Sequence, residues 1–268
     1  GRRNRKEHWV TTLATAPAPG FEAPGVEDFQ LPPIIAGITK PMVQLVLAVL
    51  IVYVLFRIAV RKPAVVPSKA QFLGEAFYGI VRNSIARDMI GPEYLRYVPF
   101  LTALFSFILV NNLFGIIPLL QFPTFSHPGV PYALAALVWL TYNVVGIRRH
   151  GFVGYLKVAV WPPDVPWWVR VILTPMEFLS NIVLRPITLS LRLFGNMFAG
   201  HLLLLVFILG GEYMLTVADS VALKVMSPVA FIMGIVFTFF EAFVQVVQAY
   251  IFTLLTASYI GAALASDH

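Results

Sequence analysis

Cysteine is absent from the 268 residues, which removes disulfides, thiolate nucleophiles and thiolate metal sites together. Charge is scarce as well. Asp, Glu, Lys and Arg make up 12% of a chain that is 59% hydrophobic, with a mean hydropathy of +0.81, and such a composition does not stay dissolved. There is also no Gly-rich phosphate loop, no metal-spaced histidine cluster and no Ser-His-Asp arrangement in a credible context. These absences lead us to expect no catalytic site of the chain's own, no cofactor and no metal. What the sequence does have is a series of long uncharged runs, and they define an all-α integral membrane protein. The net charge of +6 and pI near 9.7 do not point to nucleic acid, because the basic residues lie in loops between apolar runs, as positive-inside topology requires.

The chain starts at Gly1 rather than methionine, with Arg2, Arg3, Arg5 and Lys6 close behind and no signal-peptide core, which reads as a trimmed start. Residues 1–40, rich in Pro, Ala and Gly, read as an extended arm, and residues 41–268 as the membrane domain. Spans are expected at 41–60, 97–120, 132–147, 169–209 and 226–265. Between the first two, Lys69 to Met89 is amphipathic enough for a surface helix, and the basic excess of that loop places it in the cytoplasm. The uncharged loop from Gln121 to Pro131 is then outside, and Arg148, Arg149 and His150 return the chain to the cytoplasm. Residues 151–168, broken by prolines and rich in tryptophan, read as an interfacial connector. Five crossings leave the N-terminus outside and the C-terminus inside, with a bacterial plasma membrane preferred over an organelle membrane.

The last two apolar runs are too long for upright spans. About 40 helical residues measure roughly 60 Å, against a hydrocarbon core of about 30 Å. Steeply tilted helices fit, with Pro175 and Pro186 available to bend the first. Within 186–211 the only permanently charged side chain is Arg192. A guanidinium near mid-membrane costs from about 2.5 to 17 kcal/mol on a lone helix, so it is expected to face water or a counter-charge and to have a task.

At 100° per residue, Asn181, Arg185, Thr188, Arg192 and Asn196 fall within an arc of about 80°, and His201 points about 180° from Arg192. On the last helix Thr238, Glu241, Gln245 and Gln248 share an arc of about 80°, and Glu241 is its only charge between Met226 and Ala265. An imidazole titrating near neutrality beside a carboxylate is a natural proton relay, so His201 and Glu241 are paired as candidates. The remaining polar groups have plainer readings beside the functional ones. Arg185 can reach headgroups along its stem, Glu177 can be a helix N-terminal acid, and Asn111 and Asn112 can bond neighbouring helices.

Two stretches in particular, LSLRLFGNMFAG at 189–200 and QAYIFTLLT at 248–256, resemble subunit a of F-type ATP synthases, and NNLFGIIP at 111–118 is similar too. The resemblance extends over about three quarters of the chain, from the first span onward. It implies a stator subunit of the Fo sector whose two long tilted helices curve against a ring of proteolipid c subunits, in a complex that also holds a b-subunit peripheral stalk. It places Arg192 at the family's essential arginine, Thr188 and Asn196 one helical turn to either side, and Gln248 at the glutamine of the last helix. In some bacterial members positions 201 and 241 are Glu and His, so His201 and Glu241 are exchanged here, as in mitochondrial members. The second-span acid of some members is Gly115 here, and Glu177 sits one position off the usual spacing to the arginine.

The implied activity is proton flow through two offset half-channels, coupled to rotation of the ring. Arg192 would act as the gate, and the half-channels would be lined by Glu241, His201, Gln248, Asn196 and Thr188, with Glu177, Arg185 and Asn112 as weaker candidates. The competing reading is a secondary transporter in which a midplane Arg192 binds an anionic substrate. No inverted repeat is visible in the sequence to support it.

Overall fold

The computed structural model describes residues 39–61, 67–117, 124–160, 166–218 and 220–265. Of the extended arm expected at 1–40, residues 1–38 lie outside the described residues, as do the C-terminal Asp267 and His268, and Lys40 already belongs to the first helix. Every element among those residues is helical. Helix α1 is Lys40–Ala59, started by Pro41 in its first turn, where the missing N–H costs nothing. Helix α2 runs over residues 69–90. It is capped by Ser68, whose hydroxyl accepts from the Gln71 N–H at 3.3 Å, and passes through a π-helical stretch, Ile80–Arg87. Gly91, at φ 79°, turns the chain into a short 3-10 segment, Tyr94–Arg96, and helix α3 is Val98–Phe114. Helix α4 is Gly129–Val160, α5 is Trp167–Thr216 and α6 is Val221–Leu264.

Four helices, α1, α4, α5 and α6, are long and apolar enough to cross a membrane, and α3 is a shorter apolar helix of 17 residues. Together they make an all-α multi-pass membrane protein, with α2 as the amphipathic sixth element. At 1.5 Å per residue, the 50 residues of α5 and 44 of α6 extend for roughly 75 and 66 Å, about twice the hydrocarbon thickness, so both lie steeply tilted. In α5 a π-helical stretch, Leu179–Leu184, lies between Pro175 and Pro186. A proline in a helix removes one backbone bond and presses on the preceding turn, and one wider turn relieves both without ending the helix.

The chain does not stop being helical at Arg148, Arg149 and His150, and the expected connector is helical as far as Val160. Gly151, at φ 73° and ψ 168°, breaks the direction there, so α4 is two helices joined by a kink. The second folds back, and the ring of Tyr155 lies against Gly146, where a β-carbon has no room. The Tyr155 hydroxyl donates to Asn143 Oδ1 at 2.9 Å.

Helix α6 is the hub, packed against α5, α4, α3 and the end of α2. Its buried face is built from small and hydroxylated residues: Ala249, Thr253, Thr256, Ala257 and Ala263. Thr253 and Thr256 return their hydroxyl protons to the carbonyls one turn back, so close helix contact strands no polar group. Gly261 lies directly on the Met89 carbonyl, which seats α2 against α6. Larger residues fill the centre, with Leu101, Ile108, Leu189, Leu193, Met197, Phe252 and Ile260 almost wholly enclosed.

Candidate functional site

Glycines let α5 and α6 lie side by side. A β-carbon on Gly211 would stand 3.2 Å from the ring of Phe231, and Ser227 donates to the Gly211 carbonyl at 2.8 Å. Deeper in, Gly234 packs beside Phe207, whose ring stacks on Phe237 at 5.0 Å. At Gly200 the close neighbour is polar: a β-carbon would meet Oε1 of Glu241 at 2.9 Å. The carboxylate of α6 therefore rests on the backbone of α5, next in sequence to His201. Both side chains are buried, with His201 8% and Glu241 4% exposed.

From Glu241 a run of polar side chains continues along the interface. Gln245 Nε2 lies 3.4 Å from Glu241 Oε1 and 3.3 Å from the sulfur of Met197, while the Gln245 carbonyl accepts from Asn112 Nδ2 at 2.9 Å. One turn further, Asn196 Nδ2 donates to Gln248 Oε1 at 2.7 Å, joining α5 to α6. Three helices thus contribute to one buried strip of amides ending in a carboxylate. Glu241 Oε2, Gln245 Oε1 and Gln248 Nε2 are enclosed without a hydrogen-bond partner among the described residues, an unusual concentration of unmet polarity.

Arg192 is on a different surface. Leu184, Ile187, Thr188, Leu191 and Arg192 recur at helical spacing and are all exposed, so this face of α5 is left uncovered by the other described residues. The Thr188 hydroxyl donates to its own helix, at 2.8 Å from the Leu184 carbonyl and 3.1 Å from that of Arg185. No carboxylate among the described residues pairs with Arg192; the ion pair seen there joins Arg149 to Glu93.

The other expected residues are elsewhere. Asn181 leaves the stripe: its Nδ2 donates to the Ala159 carbonyl on α4 and, at 3.1 Å, to Glu177 Oε2, while its own carbonyl accepts from the Tyr142 hydroxyl at 2.8 Å. Arg185 packs against α6. Its guanidinium lies over the ring of Tyr259 on α6, 4.8 Å from the centroid. Glu177 is bonded back onto its own helix through Asn181 and is far along α5 from the Glu241 group. Gln245, Met197 and Gly200 were not among the sequence candidates. Gln245 already lay on the polar arc that helical spacing assigns beside Glu241 and Gln248 without being given a role, and Gly200 could have been found from being a glycine inside a long helix.

The architecture defines a class: a multi-pass helical membrane protein with ionisable groups set inside its spans, some buried between the last two helices and one left on an open apolar face. Comparison with known proteins narrows this further. The ATP synthase A chain family matches residues 42–261, and the chain belongs to that family. It is 49% identical to ATP synthase subunit a of Nocardioides sp. (strain ATCC BAA-499 / JS614), over 97% of this chain and 99% of the relative. It is 46% identical to ATP synthase subunit a of Pseudarthrobacter chlorophenolicus, over 92% and 94%, and 40% identical to that of Streptomyces lividans, over 93% and 90%. The secondary-transporter reading finds no support.

Proposed function

We propose that this chain is the proton-translocating stator subunit of a bacterial F-type ATP synthase and that Arg192 is its gate. The observation that carries the reading is the guanidinium exposed on an apolar face of α5, with no counter-charge among the described residues. In lipid that position is expensive, so a partner bearing an acid is expected to move past it. The fitting partner is a ring of c-type proteolipids with a mid-membrane carboxyl group, and a b-subunit stalk would hold the chain still against it.

The ring carboxyl is protonated while it faces lipid. On meeting Arg192 at about 4 Å, with an effective dielectric near 20, its ionised form gains roughly 4 kcal/mol, enough to release the proton. The same fixed cation repels a proton that would pass directly from one side to the other. Protons arriving from outside would use the Glu241, His201, Gln245, Gln248 and Asn196 strip, which runs along the α5–α6 seam. Departure would be on the cytoplasmic side of Arg192, with the N-terminus outside and the C-terminus in the cytoplasm. Each elementary charge carried across is worth about 2.3 kcal/mol per 100 mV, which the ring converts to torque.

Arg192→Ala should abolish ATP-driven acidification of inverted vesicles and ATP synthesis while the complex still assembles. Normal pumping by that variant refutes the role. Mild-detergent purification tests the partner separately, since a proteolipid ring should accompany the chain.

A further inference from the structure

A second polar feature lies away from the α5–α6 seam. Where α3 begins, α4 ends its first segment and α6 terminates, they enclose a cavity of about 510 Å³. Three arginines line it, Arg96, Arg148 and Arg149, against one acidic residue, Glu93. Arg149 is already engaged, its Nη1 3.2 Å from Glu93 Oε1. The side chains of Arg96 and Arg148 have no ion pair or hydrogen bond among the described residues, so the described wall of the cavity keeps an excess of two positive charges. Positive-inside topology and the end of a helix account for basic residues following α4. Neither accounts for arginines from two separate segments converging on one hollow.

The rest of the wall indicates what the excess charge is for. On α4, Leu137, Leu140, Val144 and Arg148 follow one another on a single face at helical spacing, and the three aliphatic residues are 48%, 53% and 43% exposed. A strip of aliphatic side chains thus leads from the apolar span to the arginines, with Thr141 and Tyr97 beside them. We propose that the cavity binds the phosphate of an anionic phospholipid, with Arg96 and Arg148 holding the phosphodiester and an acyl chain lying along Val144, Leu140 and Leu137. Planar guanidinium forks match phosphate oxygens, and basic hollows between spans on the cytoplasmic side suit such headgroups. A soluble phosphate would share the arginines but would make no use of the aliphatic strip. This site is independent of the Arg192 gate.

The test uses the whole complex containing this chain, exchanged into neutral detergent with equal phosphatidylglycerol and phosphatidylcholine, followed by native mass spectrometry of the retained lipid. Phosphatidylglycerol should be retained in preference, and R96Q/R148Q should lower that retention about 30-fold, roughly fivefold for each arginine beside an anionic lipid. Glu93→Gln frees Arg149 and should raise retention about fivefold. That variant decides the matter if the double variant fails to assemble. Equal retention of the two lipids, no loss in R96Q/R148Q, no gain in Glu93→Gln, full displacement by millimolar inorganic phosphate, or an acidic segment of another subunit crosslinked at position 148 would each overturn the proposal.

Discussion

The hydrogen bond from Asn196 to Gln248 offers a way to separate what the buried strip does for the fold from what it does for protons. Gln248 is 2% exposed, its Nε2 has no partner among the described residues, and the 2.7 Å bond from Asn196 is what satisfies its oxygen. Asn196→Leu keeps the side-chain shape but strands that oxygen, and a buried unsatisfied polar group costs about 1–3 kcal/mol. Coupling across helices in membrane proteins averages ~0.6 kcal/mol and reaches ~1.7, so we expect a loss of about 1–2 kcal/mol. Adding Gln248→Met removes the stranded group at similar volume and should restore stability to within about 0.5 kcal/mol, because replacing both partners by apolar groups is nearly neutral. Unfolding in mixed micelles measures both variants, and ATP-driven acidification of vesicles measures transport. The expected pattern is a stable double variant that pumps poorly. If the double variant is less stable than Asn196→Leu alone, the bond is not what holds these side chains. If it pumps at the parent rate, the two amides are not on the proton route.

Other substitutions test separate parts of the arrangement. His201→Glu combined with Glu241→His should retain more proton pumping than either single change, and a double variant no better than the worse single would separate the two residues. Gly261→Ala brings a methyl group onto the Met89 carbonyl, where only backbone can yield, and should cost about 1–3 kcal/mol by forcing α2 off α6. An unchanged melting temperature in detergent would contradict that packing. Tyr259→Leu should lose roughly 0.5–2 kcal/mol by removing the aromatic face under Arg185, whereas Tyr259→Phe keeps the face and should lose little. Equal losses in the two would rule out the ring as the partner.

Much of this was legible in the residues, and the parts that were not share physical causes. Arg192 stood out because a permanent charge in a long apolar run has few innocent explanations. The burial of His201 and the openness of Arg192 match the opposed directions that helical spacing assigns on α5. The extent of α4 was not legible because Arg148, Arg149 and His150 mark the edge of an apolar span, and charged residues at that edge do not end a helix. The helix changes direction at Gly151, whose positive φ only the backbone reveals. Gly200 was hidden for another reason: the identity of a helical glycine does not say which side chain of which neighbour uses the space it leaves.

The departure of Asn181 from the stripe follows from the π-helical stretch at Leu179–Leu184, and it bears on how α5 is organised. Counting 100° per residue assumes an unbroken α-helix, and a wider turn rotates everything before it relative to everything after it. With that turn, Asn181 faces α4 and bonds to the Ala159 carbonyl. Arg185, just after it, reaches the ring of Tyr259 on α6. Asn196, at the other edge of the arc, turns to Gln248. Only Thr188 and Arg192 remain on the exposed face, and the Thr188 hydroxyl is spent on its own backbone. Of the five polar residues that an ideal helix would present as one band, Asn181 leaves at the wider turn while Arg185 and Asn196 are engaged by side chains of α6, so that a single charge is offered to whatever lies against α5. That division suits a gate better than a band would. A continuous polar band would carry water and protons straight along the helix, while a lone cation between apolar neighbours interrupts them.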